Sequence, residues 1–390
     1  MPKQKTAKAS PIQSAIQTWI SSVSTPDGKD ELKWKNELFN SAPKRFTIYE
    51  PMALLPSGSF TADIWIATLR NADQDSSAQL WSLILKELST QAKEPLTHLA
   101  ANEGIPLRKD GAEDENVLRS PSGLRILHGD FGQASVAAEG PTANDFDKAL
   151  WVSTKQNGIF QTWAPRWTMF SRGNIKEKAR LLDMGKRTLG KLETGLSGGP
   201  WAVDLYAGIG YFVFSYARLG MRVLCWEINP WSVEGLRRGA KANKWTVKVV
   251  QGEGLLLPVA DILAGGEQIV VFLESNQEAL GRIQSLQDQG IARDIQHINC
   301  GFLPTSEPVW KNTLEMCAPS SEAWLHLHEN VGVHDTETRR DEIQRGFEGW
   351  IDGVQVRTAK VEHIELVKTF APGVWHCVFD VHVTTRSNCQ

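Results

Sequence analysis

The pattern of apolar and polar residues changes character twice along the chain. Between residues 12 and 20 apolar side chains recur at a weak helical period, and the run SSVSTPDGKDE then breaks it. The opening ten residues, MPKQKTAKAS, carry Lys3, Lys5 and Lys8, no acid and no apolar face, so residues 1–44 are expected to form a disordered or weakly helical tail. Residues 45–168 read as a smaller N-terminal α+β region. It holds an alternating stretch at 60–69, a helix-like run at 78–88 and a polar loop at 108–115. Short strand-like pieces follow at 124–127, 150–153 and 158–163, with Gly, Asn and Asp between them.

The second change falls near Asn174. Asn174 and Glu177 have capping-box spacing, and Ile175, Ala179 and Leu182 share one helical face. Beyond Trp201 strands and helices alternate. Apolar strands read at 202–206, 223–226, 247–250, 297–302 and 323–327, with helical patterns at 232–242 and 335–351. This alternation predicts an α/β domain over 169–390, with a mostly parallel sheet covered on both faces. Two long strand-like runs, 361–369 and 374–383, join through Ala371-Pro372-Gly373, so the last strand is expected to be antiparallel. Residues 255–292 exceed an ordinary connection and read as an insertion.

Composition narrows the class. The chain has 390 residues, 41% of them hydrophobic and 22% charged, enough for a buried core. Its longest apolar runs, such as 269–273, fall far short of the ~20 residues a membrane span needs, and no leader pattern opens the chain. The five cysteines are scattered without a C-x-x-C pair, which argues against a disulfide framework or structural zinc and for a reducing, cytoplasmic setting. A net charge of −3 does not advertise nucleic-acid binding, although it can hide a local basic face.

The chemistry concentrates in Val203-Asp204-Leu205-Tyr206-Ala207-Gly208-Ile209-Gly210-Tyr211-Phe212, a strand that ends in a Gly-x-Gly turn. Gly208 and Gly210 let a ligand approach the backbone closely. Glu227 ends the next strand, where an acid can accept both hydroxyls of a ribose. Glu253 and Gly254 follow the third strand, where an adenine-contacting loop would lie. Position 213 is Val, so the dinucleotide pattern G-x-G-x-x-G is incomplete, and S-adenosylmethionine fits better than a pyrophosphate. The plain alternative is a tight strand-to-helix turn. Gly195-Leu196-Ser197-Gly198-Gly199 matches a nucleophile elbow but precedes its strand, which makes it a linker. His326, His328 and His334 lack Cys or carboxylate partners at ligand spacing, so no metal is expected. Trp231, just past Glu227, either stacks on a base or packs in the core. Lys176, Lys178, Arg180, Lys186, Arg187 and Lys191 make the helix after Asn174 basic; of these Lys176, Arg180, Lys186 and Arg187, with Arg237, Arg238 and Lys241, are phosphate candidates, and a solvated helix face is the plain alternative.

Five segments occur in a characteristic order: 169–178 (MFSRGNIKEK), 203–212, 227–232 (EINPWS), 299–306 (NCGFLPTS) and 326–331 (HLHENV). Together they resemble the tRNA wybutosine-synthesising protein 2 family, with a fungal-type N-terminal half. The resemblance implies a class I S-adenosylmethionine-dependent methyltransferase-like (Rossmann-like) domain. It implies transfer of the 3-amino-3-carboxypropyl arm of S-adenosylmethionine to C7 of 4-demethylwyosine at position 37, in the anticodon loop of tRNA(Phe), with release of methylthioadenosine. Ser171 and Lys178 would contact the cofactor, with Asp204 in the glycine-turn motif, Glu227 at the ribose, and Glu253 and Gly254 near the adenine. The family usually shows Asp-Asn at that last pair. Arg172, Lys176, Arg180, Trp231, Pro304, Thr305 and Asn330 are the substrate and tRNA candidates, and His328 and Glu329 the proton acceptors. A tRNA guanine-37 N1-methyltransferase is the alternative. Its members carry an arginine near the position of Gly173 and Asn-Pro-Pro where this chain has Leu303-Pro304-Thr305-Ser306. A catalytically silent tRNA-binding scaffold is a second alternative. No membrane partner is expected and no oligomeric state is assigned.

Overall fold

The computed structural model describes residues 10–25, 29–102, 123–189, 199–351 and 357–385, without the side chains of 186–189. The polar loop at 108–115, the linker motif at 195–198 and the side chains of Lys186, Arg187 and Lys191 therefore lie outside the described residues. The chain divides into two compact units: Met1–Thr154 with Trp163–Met169, and Lys155–Thr162 with Phe170–Gln390.

The first unit opens with α1 (Pro11–Ile20) and α2 (Glu31–Ser41), where a tail was expected. Each has a side-chain cap: Ser10 and Gln13 form a capping box on α1, and Asp30 accepts from Lys33 on α2. Ile12, Ile16, Trp19, Trp34 and Leu38 are buried in the unit's core, so apolar burial holds helices whose local period is weak. After β1 (Thr47–Tyr49) and β2 (Met52–Leu55), the alternating stretch at 60–69 becomes part of α3 (Asp63–Asn71), followed by α4 (Gln74–Ser89). Trp65 stacks on Trp19 at 6.0 Å, and Phe60 meets Trp65 and Trp81 edge-on at 4.8 and 5.1 Å. Packing of these large rings overrides the period-2 signal. With β3 (His98–Ala101) and β4 (Arg125–His128) the sheet runs β1-β2-β3-β4, and α5 (Ala143–Lys148) follows. A hairpin of β5 (Val152–Gln156) and β6 (Ile159–Trp163) ends the region, its tip belonging to the second unit.

The second unit is α/β. A short 3-10 turn, Arg172–Asn174, leads into α6 (Ile175–Leu189), then β7 (Trp201–Asp204), α7 (Val213–Arg218), β8 (Arg222–Glu227), α8 (Pro230–Ala242) and β9 (Val247–Val250). Residues 255–292, expected as an insertion, are built into the sheet. They hold α9 (Val259–Leu263), β10 (Ile269–Leu273) and α10 (Ala279–Asp288), and β10 pairs in parallel with both β8 and β9. The rest is β11 (Ile295–Cys300), α11 (Trp310–Met316), β12 (Glu322–Gly332), α12 (Thr336–Ile351), β13 (Arg357–Ala371) and β14 (Val374–Thr385). Sheet order is β13-β14-β12-β11-β7-β8-β10-β9, with β14 antiparallel to both neighbours, as expected of the last strand.

The two faces of this sheet differ chemically. Val203, Ile298, Leu325 and Phe379 point to one face and pack against Ile283, Leu314 and Phe347 of the helices there. The alternate positions, Asp204, His297, Asn299, His326, His328 and Asp380, point the other way and are all buried. That polar layer runs to the carboxyl edge of the strands, where open α/β sheets bind ligands.

Candidate active site

Asp204 closes β7 and its Oδ1 accepts from the Tyr206 amide at 3.1 Å and from Asn299 Nδ2 at 3.2 Å. Burial pushes its carboxyl up to about 7 against the pull of those hydrogen bonds. The chain then turns through Gly208 and Gly210 at φ of +53° and +88°, the left-handed region that disfavours a side chain. Glu227 ties this turn to the end of β8. Its Oε2 accepts from the Gly208 amide, and its Oε1 from the Ile228 and Asn229 amides, each at 2.8 Å. Burial raises the Glu227 carboxyl above its usual range, and the three amides oppose that rise. Because α7 is only six residues long, close approach to the glycine backbone matters more here than a helix terminus.

Gly210 tolerates no side chain for a second reason. A Cβ there would come within 2.7 Å of the Phe214 ring. Gly210→Ala should destabilise the protein by roughly 1–3 kcal/mol through strain and overpacking, read as a lowered urea midpoint. Wild-type stability in that variant would mean that the turn adjusts freely.

Ser171 and Lys178, distant in sequence from the turn, are gathered onto it by Tyr211. The Ser171 amide donates to the Tyr211 hydroxyl at 2.9 Å, and Phe170 stacks on Tyr211 with centroids 6.0 Å apart. Lys178 is buried, with Nζ 5.3 and 5.8 Å from those two ring centroids. It donates to Gln156 Oε1 at 2.5 Å and Gln161 Oε1 at 2.6 Å, and burial lowers its ammonium to about 7. Neither glutamine nor Tyr211 was singled out from the sequence. The Tyr211 position inside the glycine motif was the available signal.

On the other side of the turn, the loop after β11 meets the end of β12. Leu303-Pro304 is a cis peptide, and the Asn330 amide donates to the Pro304 carbonyl at 2.7 Å. Glu329 is spent on holding this loop: Oε1 accepts from Thr305 Oγ1 at 2.7 Å and the Ser306 amide at 2.9 Å, and Oε2 pairs with Arg339 at 3.1 Å. A carboxylate so engaged is a tie and not a free proton acceptor, which corrects the expectation for Glu329. His328 faces the opposite side of β12. Its Nδ1 lies 2.9 Å from His376 Nε2, its ring 5.0 Å from Phe212, and burial holds its imidazole neutral, well below the usual value. Asn330 shares that face, and both its side-chain amide atoms are buried without a hydrogen-bond partner.

Three other expectations change. Arg180 is not on a solvated face: its guanidinium grips Glu177, at 2.6 Å, and Asp380, and its side chain is only 16% exposed. Trp231 is 4% exposed and belongs to the core, so it offers no platform for a base. Glu253 and Gly254 follow β9 at the sheet edge, with β10 between them and Glu227, about one extra 4.8 Å strand spacing away. The loop after β10 lies nearer: Asn276 Nδ2 donates to the Leu205 carbonyl at 2.9 Å, and Glu274 accepts from Trp226 Nε1 at 3.1 Å. An apolar run ending in an acid, 269–274, was its sequence signal. Arg172 and Lys176 are exposed beside Ser171, whereas Arg237 and Arg238 are paired with Glu234. Among the described residues no three metal-binding side chains converge, and no helix is long and apolar enough to cross a membrane.

A parallel sheet with an antiparallel last strand, a glycine turn and a strand-terminal acid tied to it define a class I methyltransferase-like domain. No family model matches the chain. The tRNA wybutosine-synthesizing protein 2 of Schizosaccharomyces pombe is 41% identical over 343 residues, 87% of this chain and 72% of that protein. Its Saccharomyces cerevisiae counterpart is 31% identical over 389 residues, 89% of this chain and 76% of that protein. Among solved structures, a Pyrococcus horikoshii TYW2 in complex with MeSAdo shares the fold at a TM-score of 0.56 and 16% identity, over 95% of this chain and 99% of its own. The chain belongs to the tRNA wybutosine-synthesizing protein 2 family.

Proposed function

We propose that the polar edge around the glycine turn acts on the base at position 37 in the anticodon loop of tRNA(Phe), placing the new bond at C7 of 4-demethylwyosine. The chain is an S-adenosylmethionine-dependent tRNA aminocarboxypropyltransferase of wybutosine synthesis. The observation that carries the site assignment is the junction at Tyr211, which joins the Ser171 segment to the glycine turn closed by Glu227.

When bound, S-adenosylmethionine supplies a sulfonium whose aminocarboxypropyl carbon takes the C7 electron pair as its C–S bond breaks, leaving methylthioadenosine and one proton to remove from C7. Glu227 turns a buried acceptor toward the ribose, and the loop at 274–276 lies beside the turn where the adenine would sit. Pro304, Thr305 and Asn330 line the base pocket, whose wall Glu329 holds in place. The orphaned Asn330 side-chain amide is the kind of group that a base edge satisfies. His328, neutral and with Nε2 free of a hydrogen-bond partner, is the proton acceptor we favour. Arg172 and Lys176 take the anticodon-loop phosphates. The cytoplasm is the compartment we assign, since the four cysteines among the described residues are buried free thiols, which suit reducing surroundings.

The decisive assay incubates the protein with S-adenosylmethionine and tRNA(Phe) carrying 4-demethylwyosine, read by nucleoside mass spectrometry. One added aminocarboxypropyl unit with methylthioadenosine released is expected. One added methyl with S-adenosylhomocysteine would move the activity to methyl transfer.

A further inference from the structure

Lys368, on β13 and far from every motif read in the sequence, reaches into this site. It sits in register with His376 of β14, which in turn pairs with Asn330 of β12. Its stem crosses directly over Gly173, where a Cβ would collide with Lys368 Cδ. Its Nζ ends 2.7 Å from Ser171 Oγ, a neutral oxygen. Among the described residues no carboxylate pairs with it.

This ammonium is therefore a half-buried cation with a neutral partner, an arrangement that costs free energy unless an anion completes it. Burial accordingly lowers its proton affinity. Lys178, the other buried ammonium nearby, differs: two glutamine carbonyls and two ring faces already satisfy it. Beside Lys368 the polar groups are instead unfilled, with His376 Nδ1 and the Asn330 side-chain amide lacking partners. An α-amino-acid group brings both charges such a pocket can use, a carboxylate for the ammonium and an amine for a side-chain carbonyl such as that of Asn330.

We propose that Lys368, together with the Ser171 hydroxyl, is the receptor for the carboxylate of the aminocarboxypropyl arm, and that Gly173 is glycine so that the lysine stem can pass. This rests on the site assignment above and adds a specificity-determining residue to it. Fixing the arm by its charged end selects which sulfonium substituent faces the acceptor base, a choice the glycine turn does not make.

Calorimetric titration of the full chain with three ligands tests it: S-adenosylmethionine, its decarboxylated analogue, and methylthioadenosine, which lacks the arm. The wild type should bind S-adenosylmethionine about tenfold or more tighter than the decarboxylated analogue, the scale of a charge-assisted hydrogen bond. Lys368→Met should abolish that difference while leaving methylthioadenosine affinity unchanged, which also shows the variant is folded. Gly173→Ala, which displaces the stem, should cause the same selective loss. Equal weakening of all three ligands in Lys368→Met, or no carboxylate preference in the wild type, would overturn the proposal. Failure of the wild type to bind any of the three would instead overturn the site assignment, and this inference with it.

Discussion

Glu227→Ala is expected to weaken S-adenosylmethionine binding by about 1–3 kcal/mol, roughly 5- to 150-fold in affinity. The side chain has two jobs that alanine removes together. It accepts from the Gly208, Ile228 and Asn229 amides, so its loss leaves three backbone donors at the site without an acceptor. It also presents the carboxylate that a ribose diol would bridge. Glu227→Gln keeps one acceptor oxygen, enough for the Ile228 and Asn229 amides, but sets an NH2 donor against the Gly208 amide, so it should retain only part of the affinity. Because burial raises this carboxyl, protonation begins above the usual carboxylate range, and cofactor affinity should fall as pH drops into that region. Calorimetry with S-adenosylmethionine at two pH values reads all of this. Wild-type affinity in Glu227→Ala would remove Glu227 from the ribose site.

The glycine turn and its acid were legible because strand, turn, helix and next strand follow one another within 30 residues, and strands buried on both faces read as continuous apolar runs. The same local logic found β14 antiparallel, since two residues join it to β13. What local reading missed depends on distant pairing. Nothing between 255 and 292 says that β10 inserts between β8 and β9 and moves the Glu253 loop one strand outward. Period alone left 11–41 as a tail because those helices are held by a core whose other half lies at 53–101. The polar layer was the least visible. His297, His326 and Asp380 sit singly within apolar strands, and Arg180, 200 residues before Asp380, read as one more charge on a basic helix. Lys368 and Ser171 are 197 residues apart and meet only through the sheet.

Arg180→Ala should therefore act on stability, costing about 3–5 kcal/mol, and leave the tRNA contacts proposed for Arg172 and Lys176 in place. Arg180 lies between two buried carboxylates, Glu177 at 0% and Asp380 at 2% side-chain exposure. Beyond Asp380 the chain of contacts continues to His326 Nδ1 at 2.7 Å and from His326 Nε2 to His297 Nδ1 at 3.0 Å. Truncating the arginine strands two negative charges in the interior, whereas Arg180→Met combined with Glu177→Met should recover part of the loss by removing one of them. The pH dependence separates this cause from simple loss of packing. Burial alone would raise the Asp380 carboxyl, but His326 and Arg180 outweigh it and hold the carboxyl well below its usual value. In the wild type that stabilisation is complete above an unfolded value of ~3.9 and is lost as pH falls through the lower folded value. Without Arg180 the folded value rises, so acid neutralises the stranded charges and the gap between variant and wild type narrows. His297, lowered by burial to about 3, lets the unfolded chain bind a proton the folded state does not between there and ~6.5. That erodes both proteins alike as pH drops through the window, and the comparison cancels it. Urea unfolding at pH 7 and pH 5 should thus show a large difference that shrinks in acid. An equal difference at both values would assign the loss to packing, and a collapse of tRNA affinity at unchanged stability would return Arg180 to the phosphate face.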